Sequence, residues 1–119
     1  MWIKVAAILG ALGVVLGAFG AHGLEGTLSA DRLEVWATAV EYHLLHAVAL
    51  VALALYERAA GAEIRWAALG FALGIVLFSG SLYLLALDGP RWIGPITPIG
   101  GLCFIAGWLA LVRVAPPDR

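Results

Sequence analysis

Four stretches of this chain contain no Asp, Glu, Lys or Arg: Val5 to Leu24, Tyr42 to Tyr56, Trp66 to Leu87 and Trp92 to Val112. A helix needs about 20 predominantly apolar residues to cross the hydrocarbon core of a bilayer, and three of the four runs reach that length unaided. The second is shorter, but Val35 to Val40 extends it upstream across Glu41. In lipid every backbone polar group must be satisfied within the protein, which leaves helices and closed barrels as the only spanning structures. Apolar runs of this length indicate helices. The expected fold is an all-α integral membrane four-helix bundle with spans at about residues 3–24, 35–57, 65–87 and 92–113, forming one domain over residues 1–119. Composition agrees, since 63% of residues are hydrophobic and 13% charged, against about 25% charged in soluble domains.

The first run has a second reading. Lys4 followed by Val5 to Gly17 has the form of a signal peptide, with Ala18-Phe19-Gly20 as a cleavage site. Its apolar stretch, however, exceeds the usual 7–15 residues, and it carries a glycine pattern that suits a retained helix. The lone Cys103 excludes an internal disulfide and leaves no cysteine pair for a metal site. A formal charge of -1 without a basic cluster gives no reason to expect nucleic acid.

Four crossings put both termini on one side of the membrane. That side holds Lys4, Arg58, Arg65, Arg113 and Arg119, and the other holds Arg32 and Arg91. The positive-inside rule then places both termini in the cytoplasm. Trp2, Trp66 and Trp92 lie near span ends, where indole rings favour the headgroup region. Asp31 and Glu34 have capping-box spacing, so a helix is expected to start there and run into the second span. Leu33, Trp36 and Val40 share its apolar face, which suits an entry lying in the interface.

Small residues form stripes. At about 100° per residue, Gly10, Gly13, Gly17 and Gly20 fall on one face of the first span. The third span repeats the device with Gly70, Gly74 and Ser81, and the fourth offers Thr97, Gly100 and Gly101. Such stripes let helices approach closely in lipid. They serve packing within the bundle or, in the alternative, contact with a second copy or another membrane protein.

Polar side chains gather at the end of the bundle opposite the termini. His22, Tyr42, His43, His46, Ser79, Ser81, Tyr83 and Thr97 are expected to converge there, because a buried imidazole or hydroxyl must find a hydrogen-bond partner. One conflict stands. A regular helix through residue 22 points His22 almost opposite the glycine stripe, so either the helix unwinds near Gly20 to Gly23 or the stripe faces a second protomer. The spacing of His43 and His46 differs from the two-turn zinc arrangement, and no metal or other cofactor is expected. Pro95 and Pro98 open the fourth span, and "GPITPIGG" reads either as a plain helix start or as irregular backbone walling a site.

Four segments carry a resemblance: "LGAFGAHGL" (Leu16 to Leu24), "EYHLLHAVAL" (Glu41 to Leu50), "LFSGSLYLLAL" (Leu77 to Leu87) and "GPITPIGGLCFIAGW" (Gly94 to Trp108). In this order they are similar to the signature segments of the YgdD-like family of small four-helix bacterial inner-membrane proteins of unknown function. The resemblance implies His22, Tyr42 and His46 as a shared set, with His43 often replaced by Gln. It implies a fold and a location but no reaction. From the residues, the leading expectation is binding or transport of a small solute, proton or lipid group at the polar cluster, with His22 and His46 titrating. The rival is a non-enzymatic structural or accessory subunit acting through the glycine stripes. No nucleophile and base pair points to an enzyme.

Overall fold

A computed structural model of the protein describes residues 1–114 and is all-helical among them. Four helices are long and apolar enough to cross a membrane: Trp2–His22, Ala30–Ala60, Arg65–Ala86 and Arg91–Arg113, called here the first to fourth spans. Arg119 and the Pro116-Pro117 tail lie outside the described residues.

Local chemistry sets the ends. Ser29 caps the second span, its hydroxyl accepting the Arg32 N–H at 3.3 Å. The expected start at an Asp31–Glu34 box is therefore corrected: the helix begins at Ala30, and Asp31 sits in its first turn beside the positive end of the helix dipole. Gly61 closes this helix in the left-handed conformation, φ +66°, and its N–H returns to the Glu57 carbonyl at 2.8 Å. The 31-residue helix is about 46 Å long at 1.5 Å per residue, so it outruns the hydrocarbon core. Its entry is continuous with the rest of the span. Leu33, Trp36 and Val40 pack with Leu16, Leu24 and Ala86, because a turn of glycine-faced helix is available to them.

That face belongs to the first span. Its glycine stripe meets the second span residue by residue: a Cβ on Gly13 would lie 2.6 Å from Leu44 Cδ2, one on Gly17 would lie 3.1 Å from Val40 Cγ1, and one on Gly20 would overlap the Trp36 ring. The first helix stays regular through His22, so both alternatives posed by the sequence are corrected. The helix does not unwind, the stripe packs inside the protein, and His22 points away from it. Gly10 departs from the stripe, with no neighbour within 4 Å of an added Cβ. Gly10→Ala is expected to be neutral or to add up to about 1 kcal/mol through helix propensity. Gly20→Ala is expected to remove about 1–3 kcal/mol by overpacking. Unfolding titrations in mixed micelles read both, and equal effects would refute this interface.

Each span packs mainly on its neighbours in sequence, first on second, second on third and third on fourth. Gly70 lies against the backbone of Gly107 and Cys103, and Gly74 receives the Phe104 ring. The third span widens into a π turn at Ile75–Ser79, and Gly100 of the fourth span fits against the backbone of Leu77 and Phe78 within it. Gly101 faces more open space, with Phe78 Cδ2 at 3.8 Å from an added Cβ. At the terminal end Trp2 is buried with Ala6, Leu53 and Ile64, whereas Trp66 and Trp92 are well exposed.

The fourth span opens with a 3-10 turn at Arg91–Ile93 and a turn at Gly94 and Pro95 before the α-helix of Ile96–Ala110. Pro98 falls in the first turn of that helix, where a missing N–H costs nothing. Irregular backbone thus stands at the start of the fourth span as well as in the third.

Candidate functional site

His43 is buried, and both ring nitrogens are used. Nε2 lies 2.7 Å from the Leu9 carbonyl and Nδ1 2.8 Å from the Tyr83 hydroxyl. A carbonyl only accepts, so Nε2 carries the proton, and in the neutral ring Nδ1 accepts from the Tyr83 O–H. This imidazole ties the first, second and third spans together. It reaches Leu9 because Gly13, one turn farther along the first helix, has no side chain: a Cβ there would lie 3.2 Å from His43 Cδ2.

The same device occurs seven residues away. The Trp36 Nε1–H donates to the Leu16 carbonyl at 2.9 Å, and Gly20, four residues after Leu16, leaves room for the indole. A helical carbonyl retains a second lone pair, so each accepts from the second span without giving up its own helix.

His46 is the mirror case. The Trp108 Nε1–H, which can only donate, reaches His46 Nε2 at 3.0 Å, so Nδ1 carries the proton and donates to the Tyr42 carbonyl at 2.7 Å. His46 is thus neutral, and a neutral His43 holds the opposite tautomer. The His46 ring stacks on Phe104, with centroids 3.7 Å apart, and with Tyr42, Phe78 and Trp108 it makes an aromatic layer between the second and fourth spans.

Two serine hydroxyls join further spans. Ser79, in the π turn, donates to the Ala39 carbonyl of the second span at 2.8 Å. Ser81 bonds Thr97 of the fourth span and the Phe78 carbonyl. The expected single cluster is therefore divided into separate ties: His43 with Tyr83, His46 with Tyr42 and Trp108, Ser79 with Ala39, and Ser81 with Thr97. His22 belongs to none of them. It is exposed, with no hydrogen-bond partner among the described residues, because the stripe beside it turns the opposite face inward. His43, set aside by the resemblance, is the ring that ties three spans together.

Sequence reasoning missed Trp108, Gly107 and the Leu9 and Leu16 carbonyls. Gly100, Phe104 and Gly107 recur at i, i+4 and i+7, a helical face that would have directed attention to Trp108. Nothing in the sequence marks which carbonyl accepts a second bond.

Between the second and fourth spans a groove of about 500 Å³ is walled by Tyr42, Phe78, Phe104 and Trp108, with His46 at its base and Gly101 opposite. Leu45 and Ile105 at its edges are exposed, so the groove opens sideways. Tyr42 is 40% exposed, and its hydroxyl has no partner among the described residues. Among those residues no three His, Cys, Asp or Glu side chains gather as a metal-ligand set.

Comparison with known proteins places this arrangement. A family described as "Protein of unknown function (DUF423)" matches residues 16–101. The UPF0382 membrane protein SH2409 of Staphylococcus haemolyticus is 48% identical over 92% of this chain and 93% of its own. The UPF0382 membrane protein YwdK of Bacillus subtilis is 46% identical over 95% of this chain and 97% of its own. The UPF0382 inner membrane protein YgdD of Escherichia coli is 44% identical over 90% and 82%. No solved structure matches.

Proposed function

Because the chain belongs to the DUF423 family of multi-pass bacterial inner-membrane proteins, whose activity is unknown, we propose that it is a non-enzymatic protein that binds a lipid group in the aromatic groove between its second and fourth spans. One observation carries this reading. Every buried imidazole nitrogen is engaged by a protein partner, while the groove beside His46 opens sideways between exposed Leu45 and Ile105. A polar solute or a proton would need a free polar atom along its route. An ester-linked acyl chain needs apolar walls and one donor for its carbonyl, which the Tyr42 hydroxyl supplies. The histidines form the frame and the groove receives the ligand.

Gly101→Leu tests the reading, because it fills the groove without straining the helix. Labelling by a photoactivatable phospholipid in nanodiscs should fall several-fold, with unfolding free energy kept within about 0.5 kcal/mol. Labelling equal to that of the unmodified protein would sink the proposal.

The orientation belongs to the same reading. Lys4, Arg58, Arg65 and Arg113 lie at the terminal end, and Arg32 and Arg91 at the other, which favours both termini in the cytoplasm. On a Cys103→Ala background, Thr27→Cys should react with an impermeant maleimide added outside intact spheroplasts, and Glu63→Cys only after lysis. The reverse pattern would invert the topology.

A further inference from the structure

A second groove, of about 510 Å³, runs between the first and second spans, on another face of the second helix. Its walls are small or apolar: Gly17, Ala21, Leu33, Ala37 and Val40. Two carboxylates also line it, Glu41 and Glu25, and no Lys, Arg or His does. We propose that this groove binds the ammonium head of a lipid-soluble cation, with the Glu41 carboxylate as its counter-ion.

Depth makes Glu41 unusual. Trp36 shares one packed cluster with Leu24, just beyond the first span, and Ala86, the last residue of the third. Ala86 ends the third span, so Trp36 lies level with one edge of the spans; Glu41 is five residues farther along the second helix, about 7.5 Å at 1.5 Å per residue, and is exposed on the helix surface. Ionisable groups at such depth are costly and normally face a partner or water. Glu41 has neither hydrogen-bond nor ion-pair partner among the described residues. Of the basic groups of that half, Arg32 binds Asp88 at 3.0 Å, His43 is held by Leu9 and Tyr83, and His22 and Arg91 do not line the groove. The groove itself supplies no positive charge, so a complementary one comes with the occupant.

The shape selects the occupant further. One carboxylate at the foot of an apolar trough complements a molecule with a single positive head and a hydrocarbon tail. A divalent ion such as calcium would need six or more oxygens, and the second carboxylate, Glu25, is in the loop beyond the first span. That outlying charge gives an approaching cation a path inward from the surface.

The experiment measures displacement of a fluorescent trimethylammonium amphiphile from the full chain in phosphatidylcholine nanodiscs. The competitors are dodecyltrimethylammonium and, as the uncharged control, dodecanol. The unmodified protein should prefer the ammonium ion, and Glu41→Gln should weaken it by about tenfold, equivalent to about 1.4 kcal/mol, with dodecanol changed by less than about twofold. Ala37→Leu, which narrows the trough, should weaken both competitors. Gly101→Leu should weaken neither, which separates this site from the groove of the second and fourth spans. Equal binding of ammonium and alcohol by the unmodified protein, or an unchanged ammonium affinity in Glu41→Gln, would overturn the proposal.

Discussion

Replacing Gly100 with valine should cost this protein about 3 kcal/mol or more, the upper end for overpacking, whereas valine at the adjacent Gly101 should be nearly silent. The difference lies in what each would touch. A Cβ on Gly100 would lie 2.6 Å from the Phe78 Cα and 2.7 Å from the Leu77 carbonyl carbon. Those are backbone atoms of a π turn and cannot rotate aside. At Gly101 the nearest atom is a ring carbon at an ordinary 3.8 Å. Denaturation in mixed micelles, followed by circular dichroism, checks the pair. Similar losses at both positions would mean that the third and fourth spans do not meet through Gly100.

The second large effect is expected at His43. Truncation to alanine removes a buried ring and strands the Tyr83 hydroxyl, for a combined loss of about 3 kcal/mol. Hydrogen bonds between membrane helices are individually modest, about 0.6 kcal/mol on average and up to about 1.7. A double-mutant cycle of His43→Ala with Tyr83→Phe should therefore return a coupling in that range, much smaller than the total. A coupling of zero would remove the His43–Tyr83 bond from the account. His22→Ala should change stability by less than about 0.5 kcal/mol, as for an exposed residue without partners.

These expectations show what a sequence of this kind makes legible. The four spans could be read directly, because the cost of charge in lipid writes itself as an absence of charge over whole runs. The glycine stripe of the first span was legible as a face for the same reason of periodicity. Its partner was not. Periodicity says that Gly13, Gly17 and Gly20 point one way, but the choice between an internal helix and a second copy depends on which side the second span takes. His22 illustrates the limit well. Its opposition to the stripe follows from helix geometry, yet its place among conspicuous glycines suggested a site, and the outcome is an exposed side chain.

His43 shows the converse. The resemblance implies Gln at that position in the family and so set it aside, whereas Gln too offers both a donor and an acceptor, as a structural tie requires. The π turn left no sequence signal, since Ile75 to Ser79 continues an ordinary apolar run between two glycines. The groove beside His46 depends on the second and fourth spans being held apart by aromatic rings, a matter of helix placement that no local pattern encodes.

The paired bonds between the first two spans also bear on the order of assembly. Trp36 with Leu16 and His43 with Leu9 are made entirely within the first sixty or so residues, seven positions apart on each helix. A one-turn slip of the hairpin would forfeit both bonds and drive side chains into both glycine gaps. Synthesis delivers this half of the chain first, so the hairpin can set its register before the third span has left the ribosome. The third span then arrives at a finished template: Tyr83 finds His43 Nδ1 already presented, and Ser79 finds the Ala39 carbonyl.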